Sequence, residues 1–294
     1  MTTHITTPPD GHHLISDPMG PDVSFGGGTE MKPRSLVFDL FGDYLRYRGG
    51  ECRLRALVSL MNCFDIPEPT VRVVVGRLRR DGWLDSRRDG RETIYTLTPA
   101  SWQLLNEGRD RIFNRASGPW TRDWHMVIYS VPEADRALRD QLRKKLSWVG
   151  FGPLASSVWV SPHDRTDAIV EAFADKATVK LDIFRSRSAT ESADRDLAAR
   201  AWDLDTLDQD YGDWLDRYRR RLPLYRRHEV GGTAALIERM QLVNDYRHFP
   251  FRDPDLPDEL LPPNWLGRQA FDVFIECHDL LEKPAEAAVD ELLR

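Results

Sequence analysis

Little in this 294-residue chain points to a covalent framework, a bound metal or a membrane. The three cysteines, Cys52, Cys63 and Cys277, are odd in number, lie far apart or on apolar helical faces, and form no CxxC pair. That excludes a disulfide scaffold and a thiolate zinc site and leaves reduced structural thiols. The histidines are equally scattered: His125 falls in a strand-like run, His163 in a loop, and His248 and His278 near the C-terminus, with no HExxH or similar ligand spacing. Neither a metal nor a cofactor is expected. No run of about 18 apolar residues is free of charge, so no membrane span is expected. The opening MTTHITTPPDGHH lacks the basic and apolar stretches of a signal peptide, which leads us to expect a cytoplasmic protein. There is no internal repeat.

What is present is an ordinary globular composition, 41% hydrophobic, 10% aromatic and 30% charged. At about 150 residues per domain, the length suggests two or three domains. The formal net charge of −6 conceals an asymmetry. From Lys32 to Arg115 there are 16 Lys and Arg against 11 Asp and Glu, a net of +5, whereas Arg195 to Arg294 has 14 against 21, a net of −7. A positive module attracts phosphate backbones by displacing their counterions and an acidic one repels them, so only the N-terminal part suits nucleic acid.

Residues 1–31, rich in Pro, Gly, His and Thr, read as a disordered tail. Residues 32–116 read as a winged helix-turn-helix. A stripe of Leu36, Val37, Leu40, Phe41, Tyr44 and Leu45 predicts a helix from Ser35 that stops at Gly49-Gly50, and a second helix is predicted from Leu54 to Phe64. A third runs from Pro69 to Arg80. Two short β-like runs then flank a charged turn with Asp89-Gly90, the pattern of a hairpin wing, before a closing helix from Pro99 to Phe113. Residues 117–192 alternate: strand Trp124–Val131, helix Pro132–Leu146, strand Leu154–Val160, helix Thr166–Phe173 and strand Thr178–Phe184, with room for one more strand. This predicts a ferredoxin-like α+β domain. Residues 193–294 read as mainly helical. The fold class is therefore α+β, with a winged helix-turn-helix, a central ferredoxin-like domain and a helical C-terminal domain.

A reading helix must bury one face and present base- and phosphate-seeking side chains on another. In the third helix Val71, Val74, Val75 and Leu78 form the buried stripe, leaving Thr70, Arg72, Val73, Arg77, Arg79 and Arg80 free. Arginine reads guanine bidentately and threonine contacts bases or phosphates, so Thr70, Arg72 and Val73 are expected near bases and Arg79 and Arg80 near the backbone. Arg87, Arg88 and Arg91 supply the cations of the wing. The competing reading is a solvated helix face and a charged hairpin balanced by Asp81, Asp85, Asp89 and Glu92. In that case the chain is a structural or protein-interaction module that keeps the fold without binding DNA.

The segments VRVVVGRLRRDGWLDSRRDGRETIYTLT, WHMVIYSVPE and FRDPDLPDELLPPNWLGRQAF resemble the PaaX family, the repressors of bacterial phenylacetate catabolism. The resemblance extends from Ser35 to the C-terminus, and its most distinctive part is Asp253-Pro254-x-Leu256-Pro257 with Leu260-Leu261-Pro262 and Trp265. It implies a winged helix, a central domain similar to a small CRISPR-associated endoribonuclease and a helical C-terminal domain. It also implies a homodimer on a palindromic double-stranded DNA operator, released by an aryl-acyl-CoA such as phenylacetyl-CoA or another acyl-CoA. Asn244 departs from the histidine expected there. A CoA thioester needs cations for its phosphates and an apolar slot for its acyl group, and Arg247, His248, Arg252 and Trp265, with Phe249 and Phe251 nearby, are the effector-site candidates. The basic run Arg217, Arg219, Arg220, Arg221, Arg226 and Arg227 is a further phosphate candidate, set against a solvated face or interdomain salt bridges.

The implied likeness to a nuclease raises an enzymatic alternative, which needs an acidic metal ligand at the end of the first central strand. The chain has Tyr129-Ser130-Val131-Pro132 there, and Glu133 follows the proline. No catalytic residue is expected, and the chain is read as a non-enzyme.

Overall fold

A computed structural model describes residues 31–115 and 119–294. The tail expected over 1–31 lies outside the described residues apart from Met31, and so does the boundary expected at 116 and 117. The described residues divide into two compact units, one within residues 31–106 with 286–294 and the other within residues 107–285. Among the described residues no helix is long and apolar enough to cross a membrane.

The first unit contains α1 (Pro33–Asp43), β1 (Glu51–Arg53), α2 (Leu54–Asn62), α3 (Glu68–Arg80), β2 (Leu84–Asp89), β3 (Glu92–Leu97) and the start of α4 (Pro99–Phe113). The predicted first helix is shorter than expected: α1 ends at Asp43, and Leu45–Arg48 form a tighter 3₁₀ turn that closes at Gly49. Leu36, Leu40 and Phe41 of α1, Leu57 and Leu60 of α2 and Val71 and Leu78 of α3 are all buried where the three helices pack together, the outcome that the period of each helix encodes. Of the predicted stripe on α3, Val71, Val75 and Leu78 are buried and Val74 is half-buried. The helix ends in a Schellman cap. Trp83 donates its backbone N–H to Leu78 O (2.8 Å) and Gly82 to Arg79 O (3.1 Å), with Gly82 at φ +77°. Trp83 then packs edge-on against Phe38, ring centroids 5.7 Å apart.

The wing is a two-residue hairpin. Asp89 pairs with Glu92, so the turn is Gly90-Arg91 and not the expected Asp89-Gly90. Positive φ falls on Gly90 alone (+59°), which fits a type II′ turn with glycine first. The strand β1 was not anticipated. It pairs antiparallel with β3, Cys52 opposite Tyr95, and completes a sheet of order β1-β3-β2.

The second unit opens with a four-stranded sheet: β4 (Trp124–Ser130), α5 (Arg136–Trp148), β5 (Gly152–Ala155), β6 (Val158–Ser161), α6 (Asp167–Ala172) and β7 (Lys180–Ser186). The strand predicted over Leu154–Val160 is in fact the β5–β6 hairpin, turning at Ser156-Ser157, and this supplies the fourth strand. The order β5-β6-β4-β7, with every pair antiparallel, is ferredoxin-like. One face of β4, through Val127 and Tyr129, packs with Leu142 and Leu146 of α5 and Ile169 of α6.

The helical remainder comprises α7 (Glu191–Ala201), α8 (Leu204–Arg226), α9 (Gly232–Tyr246), α10 (Phe249–Arg252) and α11 (Gly267–Leu292). The predicted helical spacing on α8 buries Leu207, Tyr211, Trp214, Leu215 and Tyr218. Tyr211 stacks on Phe249 at 4.1 Å and Tyr246 on Phe274 at 4.0 Å, so aromatic faces fill this core. The Asp253-Pro254 motif fastens it. Buried Asp253 accepts from Tyr211 Oη (2.7 Å), Arg115 Nη2 (2.5 Å) and the Asp255 backbone (2.8 Å).

Candidate nucleic-acid interface

The outward face of α3 carries Arg72, Val73, Arg77, Arg79 and Arg80, all exposed, while Thr70 is half-buried. Arg77 and Arg80 have no hydrogen bond or ion pair among the described residues. Arg72 pairs with Glu68 one turn earlier at 2.6 Å. Arg79 donates to Ser86 Oγ (3.3 Å), which ties the end of α3 to β2.

On the wing, Arg87 pairs with Glu51 of β1 at 2.6 Å, and this hydrogen bond holds its guanidinium pKa above the ordinary arginine value. Arg88 and Arg91 are exposed and have no ion pair among the described residues. The wing-tip carboxylates are occupied from behind. Arg53 of β1 reaches Asp89 (3.2 Å) and Glu92 (2.7 Å), and Arg55 lies 3.9 Å from Glu92. Asp89 and Glu92, expected to balance the wing arginines, are paired with Arg53 and not with Arg88 or Arg91. Nothing in the local sequence indicated this role for Arg53, because its partners lie more than 30 residues away. All these pairs are exposed, so each contributes little to folding and exchanges readily for a phosphate partner.

The four effector candidates do not line one cavity. Arg247 is buried inside the helical core and donates to Asn244 Oδ1 (2.8 Å), which gives that departure from the family pattern a structural role. Burial and the neighbouring arginines push the His248 pKa down to about 4, so it is neutral at physiological pH. Arg252 pairs with Asp210 at 2.6 Å beside a cavity of about 290 Å³. Trp265 belongs to the wall of another, of about 1000 Å³, together with Arg115, Arg165, Arg268 and Phe271. A third cavity of about 480 Å³, lined by Arg111, Lys145, Arg165 and Trp148, contains none of the four.

The basic run on α8 is largely committed within its own unit. Arg217 pairs with Asp245 (2.8 Å), Arg226 with Glu276 (2.6 Å), Arg227 with Glu229 (2.6 Å) and Arg221 with Glu238, while Arg219 bonds Gln269 (2.7 Å). These bridges lie within one unit and are not the interdomain bridges set against the phosphate reading. Ser130 ends β4, and among the described residues no group of three or more His, Cys, Asp or Glu is placed to hold a metal ion.

Three family models match the chain: PaaX-like protein over residues 32–101, PaaX protein central Cas2-like domain over 117–198 and PaaX-like protein C-terminal domain over 202–291. The chain is 30% identical to the transcriptional repressor PaaX of Escherichia coli (strain K12), covering 87% of this chain and 83% of that protein. Among solved structures, the uncharacterized protein Rv0674 from Mycobacterium tuberculosis matches 87% of this chain and 98% of its own, with a TM-score of 0.57 at 23% identity, a likeness of fold.

Proposed function

Because the chain belongs to the PaaX family, we propose that it is an effector-responsive transcriptional repressor that binds a palindromic operator as a homodimer and is released by an aryl-acyl-CoA. The observation that carries this reading is the surface of α3 and the wing, where Arg77, Arg80, Arg88 and Arg91 are exposed without ion pairs among the described residues while the wing-tip acids pair with Arg53. In our reading the domain of residues 32–116 reads DNA, 117–192 pairs subunits and 193–294 couples the effector. The test is a gel shift with duplex DNA from upstream of the chain's own gene. Retention at low salt that weakens steeply with added salt supports the reading, and no retention of that DNA or of neighbouring catabolic promoters rejects it.

A second copy of the chain is the occupant we assign to the open edge of the ferredoxin-like sheet. The strand β7 forms that edge, with Ile183 39% and Phe184 51% exposed. Two β7 edges paired antiparallel about a two-fold axis with Phe184 opposite its own copy form an aromatic cross-strand pair on that axis. The variant Phe184→Glu is expected to sediment as a monomer and to lose most operator affinity, since one reading helix then works alone. A Phe184→Glu protein that remains dimeric places the interface elsewhere.

For the effector, a thermal-shift series with phenylacetyl-CoA, other acyl-CoAs and free CoA is decisive. A ligand present at about 100 times its Kd stabilises the folded state by about 2.7 kcal/mol, a shift of several degrees. Free CoA is expected to shift it less than the aryl thioester. No shift with any thioester removes the proposed inducer class.

A further inference from the structure

We infer that Gly76, with Val73 beside it, is the point of closest approach between α3 and a DNA base pair, with Val73 packed on a thymine methyl group. This rests on the DNA-binding reading above. Glycine is the least favourable residue in a helix interior after proline, and Gly76 stands in the ninth position of a 13-residue helix. Nothing among the described residues accounts for it. Its φ is not in the left-handed region, and a Cβ built there meets no atom within 4 Å. Neither a turn nor close packing requires a glycine at this position.

Its surroundings supply the missing reason. Val73, three residues earlier on the same face, is 52% exposed although Val71 and Val75 of the same run are buried. Arg72 and Arg80 lie one turn to either side of Gly76, and Arg77 follows it. The outward face of α3 is thus a shallow notch next to an isolated branched aliphatic side chain, ringed by cations. Cations suit the phosphate flanks of a major groove, and the group in that groove that an aliphatic side chain recognises is the thymine C5-methyl. A protein partner would call for a broader apolar patch; in the first unit, Tyr47 is the one other large hydrophobic residue exposed among the described residues.

The experiment begins with selection of duplexes from a random library by the wild-type full chain, followed by anisotropy titration of the selected duplex with wild type, Gly76→Ala and Val73→Ala. Each thymine of the duplex is then replaced in turn by uracil, which deletes only the methyl group. Gly76→Ala is expected to raise Tm by about 2–6 °C, because alanine restrains the unfolded chain and favours the helix, while weakening binding at least tenfold. One thymine-to-uracil change in each half-site is expected to weaken wild type several-fold and to leave Val73→Ala unaffected. Gly76→Ala binding within twofold of wild type, a fall in its Tm, or a uracil series to which wild type and Val73→Ala respond alike overturns the inference while the repressor reading stands. Failure of wild type to enrich any sequence defeats the repressor reading itself.

Discussion

Arg77→Ala is expected to weaken operator binding about 10- to 100-fold without lowering the melting temperature. The side chain is exposed and has no partner among the described residues, so removing it leaves no buried group unsatisfied and no cavity. On DNA the same guanidinium replaces water with a base edge or a phosphate, and a good bidentate base contact is worth about 1–3 kcal/mol of discrimination. The control is Arg88→Ala on the wing. A phosphate contact carries no sequence information, so its loss weakens all duplexes evenly and flattens the slope of log affinity against log salt by about one. Arg72→Ala lies between these cases, because Glu68 already holds Arg72 at 2.6 Å and the bond to DNA must displace that carboxylate. Anisotropy titrations at several salt concentrations separate the three patterns. Equal, salt-independent losses in all three variants would instead mean that the arginines act through folding.

Asp194→Ala is expected to destabilise the second unit by about 3 kcal/mol, a larger effect than any surface change here. Asp194 is 1% exposed, with Oδ1 accepting from Trp124 Nε1 (2.7 Å) and from Ser188 Oγ, and Oδ2 accepting from Arg122 Nη2 (2.6 Å) and Nε (3.0 Å). Alanine strands a buried indole N–H and removes the counter-ion of Arg122. Asn retains an acceptor for Trp124 but not the charge, so Asp194→Asn is expected to cost less. Burial alone would raise the Asp194 pKa, but hydrogen bonds from Ser188, Trp124 and Arg122 outweigh it and the net shift is downward. A carboxyl lowered on folding contributes stability that is complete above its unfolded value of about 3.9 and is lost as pH falls through its folded value. The difference in denaturation midpoint between wild type and Asp194→Ala should therefore be full at pH 7 and shrink in strong acid. A loss below about 1 kcal/mol at pH 7 would show the network to be dispensable.

The elements legible in the sequence were those whose signal is local. The stripe Val71, Val75 and Leu78 on α3, the glycine of the wing turn and the aromatic spacing of α8 each depend on neighbours a few residues away. The misses depended on distant partners. A three-residue strand such as Glu51–Arg53 has too little alternation to register, and its pairing is fixed by Thr96, Tyr95 and Ile94 some 40 residues on. The β5–β6 hairpin turns on Ser156-Ser157 within an apolar run that reads as one strand, since no glycine or proline punctuates the turn itself. The arginines near residue 250 show the same limit from the other side: composition placed cations beside aromatics, yet Arg247 and Arg252 are held by Asn244 and Asp210. For the proposed DNA surface, the arginines of α3 and the wing were legible as candidates, but the pairing of Asp89 and Glu92 with Arg53 was not.

In the proposed function, α3 and the β2–β3 wing are the surface that meets DNA. Amide hydrogen exchange of the full chain, with and without a duplex that it retains in a gel shift, tests this directly. Slower exchange is expected over Glu68–Arg80 and Leu84–Leu97 on adding DNA, with the helices α8 and α9 unchanged. Protection confined to the second unit, with α3 and the wing exchanging as in the free protein, would contradict it.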